Sequence, residues 1–156
     1  GAAGPDRPGE RPTPGPAGRQ RAQAAADSQA PPGPRVILVD TSLWIDHLRQ
    51  RDPRLVAMLE AGEVLIHPFV LGELACGHLR NRREVLDLLA HLPAAPSAAD
   101  GEVLDFIERR KLMGRGVGYL DAHLLAATAL AGTARLWTRD RRLARVAAAL
   151  GLAFRE

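Results

Sequence analysis

The chain has 156 residues, room for one ordinary domain, and its single cysteine, Cys76, excludes an internal disulfide and any multi-cysteine metal site. With 21 basic and 18 acidic residues the formal charge is +3, which permits a nucleic-acid partner without arguing for one. Lys111 is the only lysine, so arginine carries nearly all the positive charge, and arginine cannot replace the catalytic lysine that several phosphate-handling folds require.

Residues 1–34 hold eight of the twelve prolines and six of the fifteen glycines, with no Val, Ile, Leu, Met, Phe, Trp, Tyr or Cys. Such a segment buries too little apolar surface to offset its ordering entropy, and a disordered tail is expected there. It has no secretory-type apolar stretch, and no run in the chain approaches the roughly 20 apolar residues of a membrane span, so a cytoplasmic protein is expected.

The domain is expected over residues 35–156. Val36-Ile37-Leu38-Val39 reads as a strand buried on both faces, followed by a helix carrying Leu43, Trp44, Ile45 and Leu48. Asp52-Pro53 marks the start of a helix that stops at Gly62. Val64-Leu65-Ile66 is a second buried strand, and Pro68 opens a helix expected to reach about Arg80. Arg82 to Leu92 has helical spacing, and Ser97 to Asp100 fits a capping box before a helix with Val103, Phe106 and Ile107. A glycine-rich loop over Met113 to Gly118 precedes a helix from Tyr119 to about Ala131, closed by Gly132. Arg135 to Trp137 is a third strand, Arg141 to Leu150 an amphipathic helix, and Leu152 to Phe154 a last short strand. Strands alternating with helices predict an α/β fold around a mostly parallel sheet, in which functional groups gather beyond the carboxyl ends of the strands.

Four acids occupy places where acids are costly or poised. Asp40 follows the first apolar strand directly, where it is either a helix N-cap or a group at the sheet edge. Glu73 has Phe69, Val70, Cys76 and Gly77 as its same-face helical neighbours, which predicts a carboxylate on a buried stripe in need of a partner, whether an arginine or a metal. Asp121 lies in the first turn of its helix, where the helix dipole favours an acid, with Leu124 and Leu125 along the inward face. Asp140 lies between the third strand and the last helix, again an N-cap position.

In a parallel sheet these places converge on one edge, and four carboxylates gathered there repel unless cations neutralise them. Oxygen-only donors suit Mg²⁺ or Mn²⁺, whereas none of the five histidines pairs at zinc-motif spacing. No lipase-type serine motif, Cys/His pairing or phosphate-binding loop is present, so an acid-only site points to phosphodiester hydrolysis. Arg80, Arg82, Arg83, Arg115, Arg139, Arg141 and Arg142 are candidates for binding RNA phosphates, each with a solvated helix face as the alternative. Six aromatics, most expected in the core, leave no extended base-stacking platform.

Four segments, Val39 to Asp46, Val70 to Gly77, Gly118 to Ala126 and Leu136 to Leu143, resemble in order and spacing the PIN-domain ribonucleases, and among these the VapC-type toxins of bacterial toxin–antitoxin pairs. The resemblance covers residues 35–156 and none of the tail. It implies a three-layer α/β/α sandwich and a Mg²⁺- or Mn²⁺-dependent endoribonuclease, usually homodimeric and inhibited by a VapB-like antitoxin. Asp40, Glu73, Asp121 and Asp140 fall on the family's acidic positions, and Thr41 or Ser42 on the polar position beside the first acid. Where some relatives carry a further acid this chain has Leu124 and Arg141 or Arg142, so one tightly held metal and a weaker second are expected. A haloacid-dehalogenase phosphotransferase would need an acid where Ser42 stands, and a receiver domain fails for lack of the same acid and a suitable lysine. The alternative from another class is a non-catalytic PIN-like module that only binds RNA or protein.

Overall fold

The structure, a computed structural model, describes residues 1–4 and 35–156; the tail expected over 1–34 lies, from residue 5 on, outside the described residues. Three parallel strands form the sheet, in the order β2-β1-β3: β1 (Val36–Val39) is central, with β2 (Val64–Leu65) and β3 (Ala134–Trp137) on either side. Ile37 pairs with Val64 and Leu38 with Leu65, while Val36 to Val39 run beside Ala134 to Trp137. Single parallel bridges, Ile66 with Ala94 and Leu136 with Ala153, widen the sheet at both edges. The strand expected over Leu152 to Phe154 thus shrinks to one bridge, tied to Leu136 by two backbone hydrogen bonds of 2.7 and 2.9 Å.

Ile37, Leu38 and Val39 are all fully buried. Successive strand side chains point to opposite faces, so both faces of β1 are covered, as expected for a sheet flanked by helices. The helices are α1 (Thr41–Arg49), α2 (Pro53–Glu60), α3 (Pro68–Ala75), α4 (Arg82–Ala90), α5 (Asp100–Arg110), α6 (Tyr119–Leu130) and α7 (Arg141–Ala149). One core joins Leu43 and Trp44 of α1, Leu55 of α2, Val70 and Leu74 of α3, Leu125 of α6 and Leu143 of α7 to the strands.

Local chemistry sets most of the helix ends. Asp52 caps α2 by accepting from the Arg54 and Leu55 amides, with Pro53 at the first position where its missing N–H costs nothing. Gly132 (φ +70) takes the left-handed turn after α6. Along α6, every residue from Ala122 to Thr128 is buried; small side chains let it lie deep, and the Thr128 hydroxyl is satisfied by donating to the Leu124 carbonyl.

Two helix boundaries differ from expectation. α3 stops at Ala75, well before Arg80: the Arg82 guanidinium donates to the Ala75 carbonyl at 2.7 and 3.2 Å, closing the helix end, and Gly77 follows. α5 has Ala99 at its N-cap with no side-chain cap, not Ser97; Asp100 instead occupies the first turn, where the helix dipole favours it.

Candidate active site

The β1–β3 register decides the geometry. Val39 lies beside Trp137, so the next residues, Asp40 and Thr138, meet just beyond the carboxyl ends of both strands, and the Asp40 amide donates to the Trp137 carbonyl at 2.9 Å. Asp40 is buried, 7% exposed, although it is charged. Its side chain does not cap α1. Instead Oδ2 accepts two hydroxyl hydrogen bonds, from Ser42 Oγ and Thr138 Oγ1, each of 2.7 Å. Each hydroxyl in turn accepts a backbone amide at 3.0 Å, Ser42 from Arg139 and Thr138 from Asp140. The web is closed: every donor and acceptor in it fixes another, and Asp40 stands rigidly at its centre.

Of the two polar residues beside Asp40, Ser42 joins this web, whereas the buried Thr41 hydroxyl has no hydrogen-bond partner among the described residues. Spacing alone does not mark Thr138, the third member of the web. The available signal was a hydroxyl one step past β3 at the register position of an acid one step past β1.

Asp140 follows on the same turn and caps α7, its Oδ1 accepting from the Arg142 and Leu143 amides at 2.8 and 3.1 Å. Asp121, in the first turn of α6, accepts the Gly118 amide on Oδ2 at 3.2 Å. Among the described residues Asp40 Oδ1, Asp121 Oδ1 and Asp140 Oδ2 accept nothing, so each acid keeps one oxygen free while the protein holds the other. The loop before α6 reaches α7 through Gly116 (φ +80), over which the Arg142 side chain lies so closely that a Cβ there would meet its Cδ at 3.1 Å.

Asp121 registers the other three acids. Burial pushes its carboxyl above the ordinary range; the Gly118 hydrogen bond opposes this, and the negative charges of Asp40, Asp140 and Glu73 add to the rise. The four acids therefore share one electrostatic neighbourhood at the carboxyl edge of the sheet. They do not close on their own: among the described residues no three carboxylate, imidazole or thiol groups form a ready-made metal cage.

Glu73 is placed differently from the expectation of a buried stripe. The inward face of α3 runs through Val70 and Leu74, while Phe69, Glu73, Cys76 and Gly77 are all exposed. The helix Pro68 to Ala75 is apolar nearly all round, so its composition does not reveal which face is inward. Glu73 opens onto a cleft that it shares with Ile45, Arg49, His78 and Arg80.

The arginines divide. Arg82 is committed to the Ala75 carbonyl. Arg139 is engaged by three carboxylates, Asp52 at 3.0 Å, Glu156 at 3.3 Å and Asp46 at 3.7 Å, and Arg142 packs on the Gly116 loop. Arg80, Arg83, Arg115 and Arg141 are exposed and pair with no carboxylate among the described residues.

Behind the acids lie two buried histidines. His67 (1% exposed) caps α3, its Nδ1 accepting the Phe69 amide at 3.1 Å; burial, and then the neighbouring His123, hold it below the usual imidazole range. His123 (2% exposed) lies with its Nε2 3.3 Å from Asp100, a carboxylate outside the four acids.

Comparison with known proteins agrees with this architecture. Residues 37–149 match the PIN domain. Over 121 residues the chain is 52% identical to Ribonuclease VapC32 from each of two strains of Mycobacterium tuberculosis, an alignment covering 78% of this chain and 98% of the relative. Parallel sheet, acids at its carboxyl edge and extended identity together place this chain in the PIN-domain family, as a relative of the VapC ribonucleases.

Proposed function

We propose that this protein is a divalent-metal-dependent endoribonuclease, the toxin of a VapBC-type toxin–antitoxin pair, working through Asp40, Glu73, Asp121 and Asp140. The single observation that carries the reading is Asp40, buried just beyond the carboxyl ends of β1 and β3 with one oxygen pinned by the Ser42 and Thr138 hydroxyls and the other free among the described residues. Kinship with a protein named as a ribonuclease supplies the reaction class.

The donor set fits a hard cation. It is all oxygen, and three of the acids each keep one oxygen free among the described residues. Asp40, Glu73, Asp121 and Asp140 would hold such an ion, Mg²⁺ or Mn²⁺, which when bound would supply neutralisation of phosphate charge and acidification of water. The chain's own contribution is positional. Ser42 and Thr138 pin one Asp40 oxygen and leave the other facing the site; the Asp140 cap and the Asp121–Gly118 contact do the same for theirs. Fixed ligands need no reorganisation as charge develops on the scissile phosphate. Arg80 beside Glu73, with Arg115 and Arg141 near the opposite acids in sequence, supply exposed positive charge for the RNA backbone, whereas Arg139 structures the loop.

The test is incubation of the full chain with a mixed RNA pool and Mg²⁺, with and without EDTA, alongside Asp40→Asn. Metal-dependent cleavage, abolished by EDTA and by Asp40→Asn, is expected. Cleavage surviving both would contradict the mechanism. An intact fold that cuts no RNA at all would favour the non-catalytic binding module. Antitoxin pairing and a homodimeric state belong to the same proposal, and co-expression with the product of the adjacent gene, followed by size-exclusion chromatography, checks both.

A further inference from the structure

Two of the six aromatics are exposed, Phe69 at 38% and Tyr119 at 42%, and each stands on a helix that carries one of the acids. Chain position brings them to the same sheet edge. β2 pairs Leu65 with Leu38, and continuing this register by two residues sets His67 level with Asp40, so α3 starts beside the first acid. Phe69 lies in the first turn of α3, one turn before Glu73. Tyr119 is the first residue of α6, in the turn that carries Asp121.

The two rings share a rigid support. Each packs against the buried His123 ring at a centroid distance of 4.6 Å, inclined by 65° for Phe69 and 85° for Tyr119, so neither is stacked parallel on the imidazole. His67 also packs against Phe69, edge to face at 5.1 Å. The Tyr119 hydroxyl donates to Asp100 at 2.8 Å, and the same Asp100 oxygen lies 3.3 Å from His123 Nε2, which ties the ring to the start of α5. Exposed rings normally lose entropy when they bind; these two are already held in place.

We propose that Phe69 and Tyr119 form a preorganised surface on which one unstacked nucleobase of single-stranded RNA rests, adjoining the phosphate at the carboxylates. The inference builds on the ribonuclease reading and adds what that reading lacks, a contact with the base. Stacking is tolerant of base identity but demands an unpaired nucleotide, because a base inside a duplex has no free face. The surface thus selects loops and single strands over helices. Two rings make a single-base seat, not the extended platform that the small aromatic content excludes.

The experiment uses the full chain, Mg²⁺ and short single-stranded RNAs carrying 2-aminopurine at successive positions, whose fluorescence falls when the base stacks. On rapid mixing, quenching is expected before strand scission for a probe with the fluorophore next to the cut. Phe69→Leu and Tyr119→Leu should each raise KM about tenfold with kcat nearly unchanged and should weaken the quench. Tyr119→Phe keeps the ring, loses the Asp100 contact, and should retain most of the binding, a rescue that a hydroxyl-dependent role would not show. Cleavage without quenching at any probe position, or a KM within twofold of the unaltered protein in both leucine variants, would overturn the proposal and leave the rings to a protein partner. Absence of any Mg²⁺-dependent cleavage by the unaltered protein would instead strike the ribonuclease reading, and this inference with it.

Discussion

Asp40 shows how two hydroxyls can turn a residue suited to helix capping into a fixed carboxylate with one oxygen left free among the described residues. Ser42 and Thr138 converge on a single oxygen, and groups that orient a metal ligand from behind commonly matter by about 10–100-fold when removed. Ser42→Ala and Thr138→Val are each expected to lower cleavage by about that factor while circular dichroism stays unchanged. The double variant should lose less than the product of the two, because both act on the same carboxylate. Asp121 gives a prediction of the opposite sign for stability. Its folded carboxyl lies above the ordinary range, so without metal the protonated form favours the fold, and stability is lost as the pH rises through the folded value. Asp121→Asn removes the charge and can keep the acceptor for the Gly118 amide. Without metal, thermal melts should therefore show this variant more stable by a few degrees at neutral pH, with the gap closing as the pH falls below the ordinary carboxylate range.

At the scale of elements, the loop that carries Thr138 and Asp140 is held by a charge network that reaches across the molecule. Glu156 accepts the Trp137 indole N–H at 2.7 Å and pairs with Arg54 and Arg139, while Asp52 pairs with the same two arginines. The indole hydrogen bond and then the arginines hold the Glu156 carboxyl below its usual range. For Asp52 burial pulls the other way but is outweighed by the amides of Arg54 and Leu55 and by the Arg54 guanidinium. Depressed values mean that this tie is intact above the ordinary carboxylate range and is lost as the pH falls through the folded values. Arg54→Met should therefore lower thermal stability at neutral pH and flatten the acid limb of the stability profile, measured by melts between roughly pH 3 and 7. In the core, replacing the fully buried Leu125 of α6 in Leu125→Ala should cost about 2–5 kcal/mol in urea unfolding.

Much of this was readable from residues alone. The run Val36 to Val39 could only be a strand covered on both sides, and Asp52-Pro53 and Gly132 mark helix ends by the conformations they allow. The phase of α3 was not readable, because a helix apolar on most faces carries no periodic mark of its inward side; Glu73 was placed inward and lies outward. Thr138 and the commitments of Arg82, Arg139 and Arg142 depend on contacts between residues far apart in sequence, which spacing does not encode. The exposure of Phe69 and Tyr119 was missed for a related reason: ring composition favours a core in general and is silent about individual positions.

At the scale of the whole molecule, a small parallel sheet serves to bring acids from four separate stretches of chain to one edge. Among the described residues no helix is long and apolar enough to cross a membrane. On the proposed reading these carboxylates are mutually unfavourable until they share a divalent cation. The direct measurement is the melting temperature of the unaltered chain and of Asp121→Asn, each in EDTA and in saturating Mn²⁺. The curves should cross: the variant is more stable without metal, and the unaltered protein is more stable with it, since only a state that binds the ion gains from mass action. Equal shifts in both proteins, or no shift in either, would contradict the account.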